Sequence, residues 1–166
     1  MIDKTITELL KIAIIKAYKV SDDYFEPSYA DKWPMVYRIA RYFAEDLEDD
    51  HGMLVDIETT RCKGQVKKIV DSTIVRPDLI VHDIDGRGVL VVEFKCSENQ
   101  TLKLRDYAKL SLFTLKNKPK HLKKCCPTYE TGIFVYLGTC VDDIRVTLFE
   151  NGEIIKDYED VILHEI

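Results

Sequence analysis

The fold is decided by the stretch Arg76-Pro77-Asp78-Leu79-Ile80-Val81, then His82-Asp83-Ile84-Asp85-Gly86-Arg87-Gly88, then Val89-Leu90-Val91-Val92-Glu93-Phe94-Lys95. Both ends of this stretch are short runs dominated by Val, Leu and Ile. The middle contains Asp85-Gly86, a dipeptide typical of two-residue hairpin turns. The pattern therefore predicts a β-hairpin with two apolar strands.

This hairpin gathers charged side chains at one end. If Asp85 and Gly86 form the turn, residues whose numbers add to 171 face each other, and Asp78 then lies opposite Glu93. Lys95, two positions beyond Glu93, points to the same face because side chains alternate along a strand. The hairpin is expected to cluster an aspartate, a glutamate and a lysine on one face.

This cluster is a candidate metal site. Apolar runs on both strands predict a sheet covered on both faces, where ionised groups need a partner because desolvation costs several kcal/mol or more. Two neighbouring carboxylates suit Mg²⁺, which typically binds one or two carboxylates together with waters and a substrate phosphate. A lysine beside that cation can hold an attacking water and offset the charge that develops on a phosphate.

A plainer interpretation assigns no chemistry to these residues. Asp78 is then an exposed residue at the start of a strand, and Glu93 and Lys95 form a surface ion pair that contributes little stability. Metal binding separates the two interpretations, because unpaired carboxylates repel each other and a cation should tighten their site.

The segment Pro77-Asp78, then fourteen residues, then Glu93-Phe94-Lys95 resembles the signature of the PD-(D/E)xK phosphodiesterase superfamily, which has the restriction-endonuclease-like fold. The resemblance implies a nuclease that uses Mg²⁺, or Mn²⁺ in its place. By the same resemblance, Asp78 and Glu93 bind the metal, the backbone carbonyl of Phe94 adds a ligand, and Lys95 positions or activates the hydrolytic water.

Three further residues enter through this resemblance. Glu58 ends a predicted strand and is similar to a glutamate of type I restriction enzyme R-subunit nuclease domains; a strand-end surface glutamate is the alternative. Lys103 and Tyr107 resemble a Gln-x-x-x-Tyr element that touches the DNA backbone or supports the site, with Lys in place of Gln. The alternative for this pair is a lysine whose stem covers a tyrosine. Relatives often carry an acid on the preceding helix, and residues 35–38 contain none.

Helices and strands are predicted on either side of the hairpin. Helices are expected at residues 4–19, about 31–50 with Pro34 in the first turn and Gly52 at the end, and about 101–116 with a buried stripe of Leu104, Ala108, Leu112 and Leu115. Strands are expected at 53–58, 131–137, 144–149 and 153–155, with a turn at Asn151-Gly152 and a further candidate strand at 69–75. This order predicts an α/β or α+β fold in which helices flank a mixed central sheet, with an extra N-terminal helix.

The 166 residues, 46% of them hydrophobic, are expected to form a single nuclease-like domain with its core at about residues 33–150. No apolar run is long enough to span a bilayer and the N-terminus has no signal-peptide pattern, so a cytoplasmic protein without membrane partners is expected. The five cysteines lack CxxC spacing, which predicts reduced thiols: Cys62, Cys96, Cys125, Cys126 and Cys140. An iron–sulfur cluster on four of them, as in some relatives, is the weaker alternative.

Charge is distributed unevenly along the chain. The net charge of −5 argues against a non-specific nucleic-acid binder. Residues 101–124 nevertheless hold eight Lys and Arg against Asp106 alone, whereas residues 142–166 hold eight acids against two basic residues. This asymmetry allows one basic face. The basic run 116–124 can follow a phosphate backbone or form a solvated loop, and the tail from Asp157 is expected at the surface.

The leading hypothesis is a Mg²⁺-dependent phosphodiester hydrolase acting on DNA. The alternative is a catalytically silent nuclease-fold module that binds or adapts within a nucleic-acid-processing or defence complex. The net charge, the missing helix acid and Lys103 in place of Gln favour that alternative, and the intact Asp78, Glu93 and Lys95 oppose it. RNA as the substrate stays open, as does a homodimer or a place in a larger complex.

Overall fold

The computed structural model describes residues 4–21, 32–57, 61–62, 65–66, 75–96, 99–123 and 126–166. Its helices and strands are α1 (Lys4–Ser21), α2 (Trp33–His51), β1 (Met53–Ile57), β2 (Arg61–Cys62), β3 (Gln65–Val66), β4 (Leu79–Asp83), β5 (Gly88–Lys95), α3 (Gln100–Thr114), α4 (Lys120–Lys123), β6 (Tyr129–Tyr136), β7 (Arg145–Glu150), β8 (Glu153–Ile154) and β9 (Val161–Ile162). Short 3₁₀ turns lie at Val141–Asp143, Lys156–Tyr158 and Leu163–Glu165. Residues 69–74 of the predicted extra strand lie outside the described residues. No helix in the described segments is long and apolar enough to cross a membrane.

The central sheet is mixed. Its strands lie in the order β1-β4-β5-β6-β7-β8, and β9 also pairs with β7. Neighbouring strands are antiparallel except β5 and β6, which run parallel and are connected through α3. Parallel strands need such a crossover. The predicted α+β arrangement, with a mixed sheet, flanking helices and an additional N-terminal helix, is confirmed.

The two faces of the sheet are covered by different helices. On one face α1 and α2 build the larger core, in which Phe43 and Leu47 of α2 pack with Leu79, Val92 and other strand residues. The predicted apolar stripe of α2 is buried, and this helix has Pro34 in its first turn and ends at Gly52, whose φ of 62° is left-handed. On the other face α3 covers a smaller apolar cluster.

The hairpin of β4 and β5 has the predicted register but a different turn. The N–H of Gly86 donates to the Asp83 carbonyl at 2.9 Å, and the N–H of Asp83 donates to the Arg87 carbonyl at 3.0 Å, so the loop has three residues rather than two. Gly86 takes the left-handed conformation that such a loop requires, with φ of 78°.

A β-bulge then restores the register. His82 pairs with Gly88 but Val81 pairs with Leu90, so Val89 is the extra residue. The longer loop and the bulge offset each other. Leu79 therefore pairs with Val92, as the predicted sum of 171 requires.

The buried face of α3 differs from the predicted stripe. Leu104 is 66% exposed and Ala108 is also exposed, whereas the buried residues of this helix are Asp106, Leu110, Phe113 and Thr114. The prediction was wrong because it assigned only apolar residues to the sheet-facing side. Polar side chains of α3 lie against the sheet, where they meet buried charges.

The basic run after α3 is not simply a solvated loop. Lys118 is buried, and its Nζ donates to the Phe113 carbonyl at 3.1 Å, the Pro127 carbonyl at 2.9 Å and Thr128 Oγ1 at 2.8 Å. A lysine that binds a carbonyl at the end of a helix satisfies an otherwise unpaired acceptor. Burial lowers the pKa of Lys118 to about 8.

The acidic tail is only partly a surface segment. Its acids Asp157, Glu159 and Asp160 are exposed, as expected. Within the tail, however, Val161 of β9 pairs with Val146 of β7, and Leu163 is buried in the larger core. The tail therefore extends the sheet as well as facing solvent.

Candidate metal centre

Asp78 lies immediately before β4 and its carboxylate is turned into the protein. The residue is 5% exposed, and Oδ2 accepts a hydrogen bond from the Phe94 N–H at 2.7 Å. The Asp78 side chain thus accepts a hydrogen bond from a backbone amide of β5 at the point where β4 begins. Pro77, which has no N–H, precedes it in the chain. The interpretation of Asp78 as an exposed strand-start residue is therefore wrong.

A lysine cation bridges two oxygen atoms at this position. Lys32 Nζ lies 2.5 Å from Asp78 Oδ2 and 2.9 Å from the Phe94 carbonyl oxygen. Lys32 is the residue that precedes α2, so the start of that helix brings its side chain to the end of the β4–β5 hairpin. A carboxylate oxygen and a backbone carbonyl therefore converge on one positive charge.

Glu93 lies in the interior of β5 and is 1% exposed. Its Oε1 is 2.8 Å from Lys109 Nζ, but the contact lacks hydrogen-bond geometry, so this oxygen has no hydrogen-bond partner in the described part of the chain. Burial, together with the nearby charge of Asp78, raises the pKa of Glu93 to about 8, and Lys109 opposes that rise. Glu93 is thus a buried carboxyl that holds its proton unusually tightly.

Asp106 connects the two lysines of the site. Its Oδ2 lies 3.2 Å from Lys95 Nζ and its Oδ1 lies 2.9 Å from Lys109 Nζ. Burial by itself would lower the pKa of Lys109, but the nearby carboxyls of Glu93 and Asp106 outweigh it, so the pKa of Lys109 is raised. Glu93, Lys109, Asp106 and Lys95 therefore form a continuous chain of alternating acidic and basic side chains between β5 and α3. The interpretation of Glu93 and Lys95 as a surface ion pair is wrong, because each has another partner and Glu93 is buried.

The oxygen donors at the hairpin end fit a hard divalent cation. Asp78 Oδ2 and the Phe94 carbonyl already meet one cation, and Glu93 Oε1 is a buried oxygen without a hydrogen bond. Within the described segments no three His, Cys, Asp or Glu side chains form a complete metal cage. Mg²⁺ does not need one, since it usually keeps several waters and shares substrate phosphate oxygens.

Lys103 and Tyr107 lie on α3 and contact residues outside the β4–β5 hairpin. Lys103 Nζ lies 3.5 Å from Asp160 Oδ1 and 5.3 Å from the centre of the Tyr107 ring, which matches the alternative of a lysine over a tyrosine. The hydroxyls of Tyr107 and Thr147 are hydrogen-bonded at 2.8 Å, and the Tyr107 ring packs edge-on against Phe134. The lysine of α3 that contacts a hairpin carboxylate is Lys109.

The remaining predicted residues are Glu58 and the five cysteines. Glu58 lies outside the described residues, as does Cys125, and the side chain of Cys62 is not described. Among the described residues, Cys96, Cys126 and Cys140 form no disulfide bond. With no group of three metal-binding side chains in the described segments, these thiols join no cluster there.

The sequence pattern did not identify Lys32, Asp106 and Lys109 as site residues. Asp106 and Lys109 carried a usable signal, because they are three apart in a helix and lie on one side of it with Leu110 and Phe113. Lys32 carried none, because it lies 46 positions before Asp78 in the chain.

Comparison with known proteins supports the fold. No family model and no curated protein matches the sequence. A chain of a solved structure, a cryo-electron microscopy structure of a DrdV–DNA complex, is similar to this one with a TM-score of 0.51 and 19% sequence identity. The similarity covers 90% of this chain but only 12% of that chain, so the present chain spans a small part of the length of its structural neighbour. At this identity the similarity shows a shared fold.

Proposed function

We propose that the chain is a Mg²⁺-dependent nuclease of the PD-(D/E)xK type that hydrolyses phosphodiester bonds in DNA. The observation that carries the proposal is the convergence of Asp78 Oδ2 and the Phe94 carbonyl on a cation, beside the buried carboxyl of Glu93. The fold shared with a chain of a DNA complex supports the choice of DNA. Asp78, Glu93 and the Phe94 carbonyl would hold the metal.

Each residue of the centre would have a separate role in hydrolysis. A bound Mg²⁺ would offset the negative charge of the scissile phosphate and favour deprotonation of the attacking water. Lys95 carries its ammonium beside Asp106, at 3.2 Å, and its other N–H groups would donate to the attacking water and the phosphate oxygens. Asp106 fixes that ammonium, and Lys109 holds Asp106 and Glu93 in place from α3.

A silent binding module is the second candidate, and one observation favours it. Both hairpin carboxylates already face lysines, since Lys32 pairs with Asp78 and Lys109 with Glu93. Such a network can stabilise a particular arrangement of β5 and α3 without any metal. The net charge of −5 agrees with a chain that meets nucleic acid only through a partner.

Metal binding and DNA cleavage, measured on the same samples, separate the two functions. Mn²⁺ and Mg²⁺ are titrated calorimetrically into the wild type and Asp78→Asn, and both proteins are then incubated with supercoiled plasmid and with single-stranded DNA. Asn keeps the size of Asp78 but removes its charge. We expect Asp78→Asn to lose most metal affinity and about 10³-fold or more in cleavage rate.

Asp56→Asn is the matched control. Asp56 lies on β1 of the same sheet, is exposed, and pairs with His82 Nε2 at 2.7 Å rather than with the centre. It should retain wild-type metal binding and cleavage. A folded wild type that binds neither ion at millimolar concentration, with and without DNA, would exclude the nuclease and leave the binding module.

A further inference from the structure

We infer that Lys32 is an internal competitor for the metal: its ammonium occupies the position of the cation in the resting protein and must leave before a divalent ion binds. The inference rests on the proposed function, because it concerns the same oxygen atoms. It adds a residue that the hairpin pattern does not contain.

Lys32 contacts two oxygen atoms at the end of the hairpin. Its Nζ is bonded to Asp78 Oδ2 at 2.5 Å and to the Phe94 carbonyl oxygen at 2.9 Å. These are the oxygens that would hold the metal. Mg²⁺ binds its oxygen ligands at about 2.0–2.1 Å in a near-octahedral shell. The ammonium and the ion therefore cannot share the site.

Lys32 also balances charge at this centre. Asp78 and Glu93 are both buried at one end of the hairpin, so two acidic side chains share a site that is shielded from water. A carboxylate buried without a partner is costly. Lys32 provides Asp78 with that partner, so the resting protein tolerates the buried charge without an ion.

The Lys32 side chain has a route into solvent. The Lys32 side chain is 21% exposed, and its ammonium lies 5.1 Å from the centre of the Trp33 ring. Lysine has a flexible four-carbon stem and a strongly hydrated head, so it can move from a partly exposed site into solvent. By contrast, Lys109 is held by two carboxylates, those of Glu93 and Asp106. Lys32 is thus the mobile cation of the centre and Lys109 the fixed one.

The test is Mn²⁺ binding to Lys32→Met by titration calorimetry. Methionine keeps much of the length of the lysine and removes its charge and donors. We expect Lys32→Met to bind Mn²⁺ about tenfold more tightly than the wild type or better, because no ion pair must be broken. Lys16→Met is the matched control: Lys16 pairs with Asp46 at 2.9 Å between α1 and α2, so its removal should leave the affinity unchanged.

A second measurement uses the wild type alone and applies even where Lys32→Met does not fold. Lysine acetylation by an N-hydroxysuccinimide ester is followed by peptide mass spectrometry with and without saturating Mn²⁺. The rate at Lys32 should rise severalfold when the ion releases its ammonium, while the rate at Lys16 should stay constant.

The outcomes separate this inference from the proposed function. Tighter Mn²⁺ binding by Lys32→Met, or faster acetylation of Lys32 on adding Mn²⁺, supports the competitor. A wild type that binds Mn²⁺, together with a Lys32→Met affinity that is equal or weaker and an unchanged acetylation rate, overturns the competitor and leaves the nuclease intact. Absence of Mn²⁺ binding by both folded proteins removes the proposed function and this inference with it.

Discussion

The two faces of the central sheet are buried by different chemistry. Against α1 and α2 the sheet presents Leu79, Val81 and Val92 to an apolar layer. Against α3 it presents a smaller apolar cluster and, beside it, the buried carboxyl of Glu93 facing Lys109. Val92 and Glu93 are adjacent in β5, but Val92 faces the apolar core and Glu93 faces Lys109 of α3.

This difference separates stability from chemistry within one sheet. Apolar burial on the α1–α2 face contributes free energy that depends on area and shape and hardly on pH. Buried charges on the α3 face contribute little net stability, because desolvation offsets their attraction. The buried polar groups of the α3 face therefore matter more for the proposed chemistry than for stability.

The largest effect on stability is expected on the apolar face. Phe43→Ala removes a fully buried ring of α2 from the larger core and should lower the free energy of unfolding by about 3–5 kcal/mol. Urea unfolding, followed by circular dichroism at several pH values between 5 and 8, measures this loss. The loss should be the same at each pH, and Phe43→Leu, a smaller change in volume, should cost less. A loss below about 1 kcal/mol would mean that this face is not the principal core.

The second effect is expected on the charged face and depends on pH. Burial raises the pKa of Glu93 from its ordinary value of 4.5 to about 8, so between these values the folded protein binds more protons than the unfolded chain. The stabilising contribution of this group is therefore present below about pH 4.5 and is lost as pH rises toward 8. Relative to Glu93→Gln, the metal-free wild type should lose up to about 1.4 kcal/mol per pH unit across this window.

Urea unfolding of both proteins in a chelator, at each pH from 5 to 8, checks the sign. Glu93→Gln has no carboxyl proton to lose at this position. Subtracting its free energy of unfolding from that of the wild type at each pH therefore cancels the contribution of the other titrating groups. Two curves that stay parallel across this range would show that Glu93 is ionised throughout. The charged face would then resemble the apolar face in its response to pH.

The apolar face was largely predictable from the sequence. The helical spacing of Val36, Phe43 and Leu47 identified the buried side of α2, and Gly52 identified its end. The register of Leu79 with Val92 was predicted correctly for an incomplete reason, since a longer loop and a bulge at Val89 offset each other. Periodicity identifies this face because burial and hydrophobicity coincide there.

The charged face was predictable only along one strand. Alternation placed Glu93 and Lys95 on the same side, and Lys95 indeed faces α3 through Asp106. The partners on the helices were missed because hydrophobic periodicity assigns charged residues such as Asp106 and Lys109 to solvent. Asp106 is buried and Lys109 is partly buried because α3 packs on the strand that carries Glu93, and the spacing of these two residues on α3 does not identify that partner.

The last prediction tests which side of α3 faces the sheet by making the same substitution at two leucines, and it includes the smallest effect expected. Leu110 is fully buried, so Leu110→Ala should lower the free energy of unfolding by about 2–5 kcal/mol. Leu104 is 66% exposed, so Leu104→Ala should change it by no more than about 0.5 kcal/mol. Urea unfolding of both variants gives the difference directly. Equal losses would mean that the side of α3 that carries Leu104 also faces the sheet. Such a rotation of the helix would move Lys109 away from Glu93. The measurement therefore also decides whether the charged face exists.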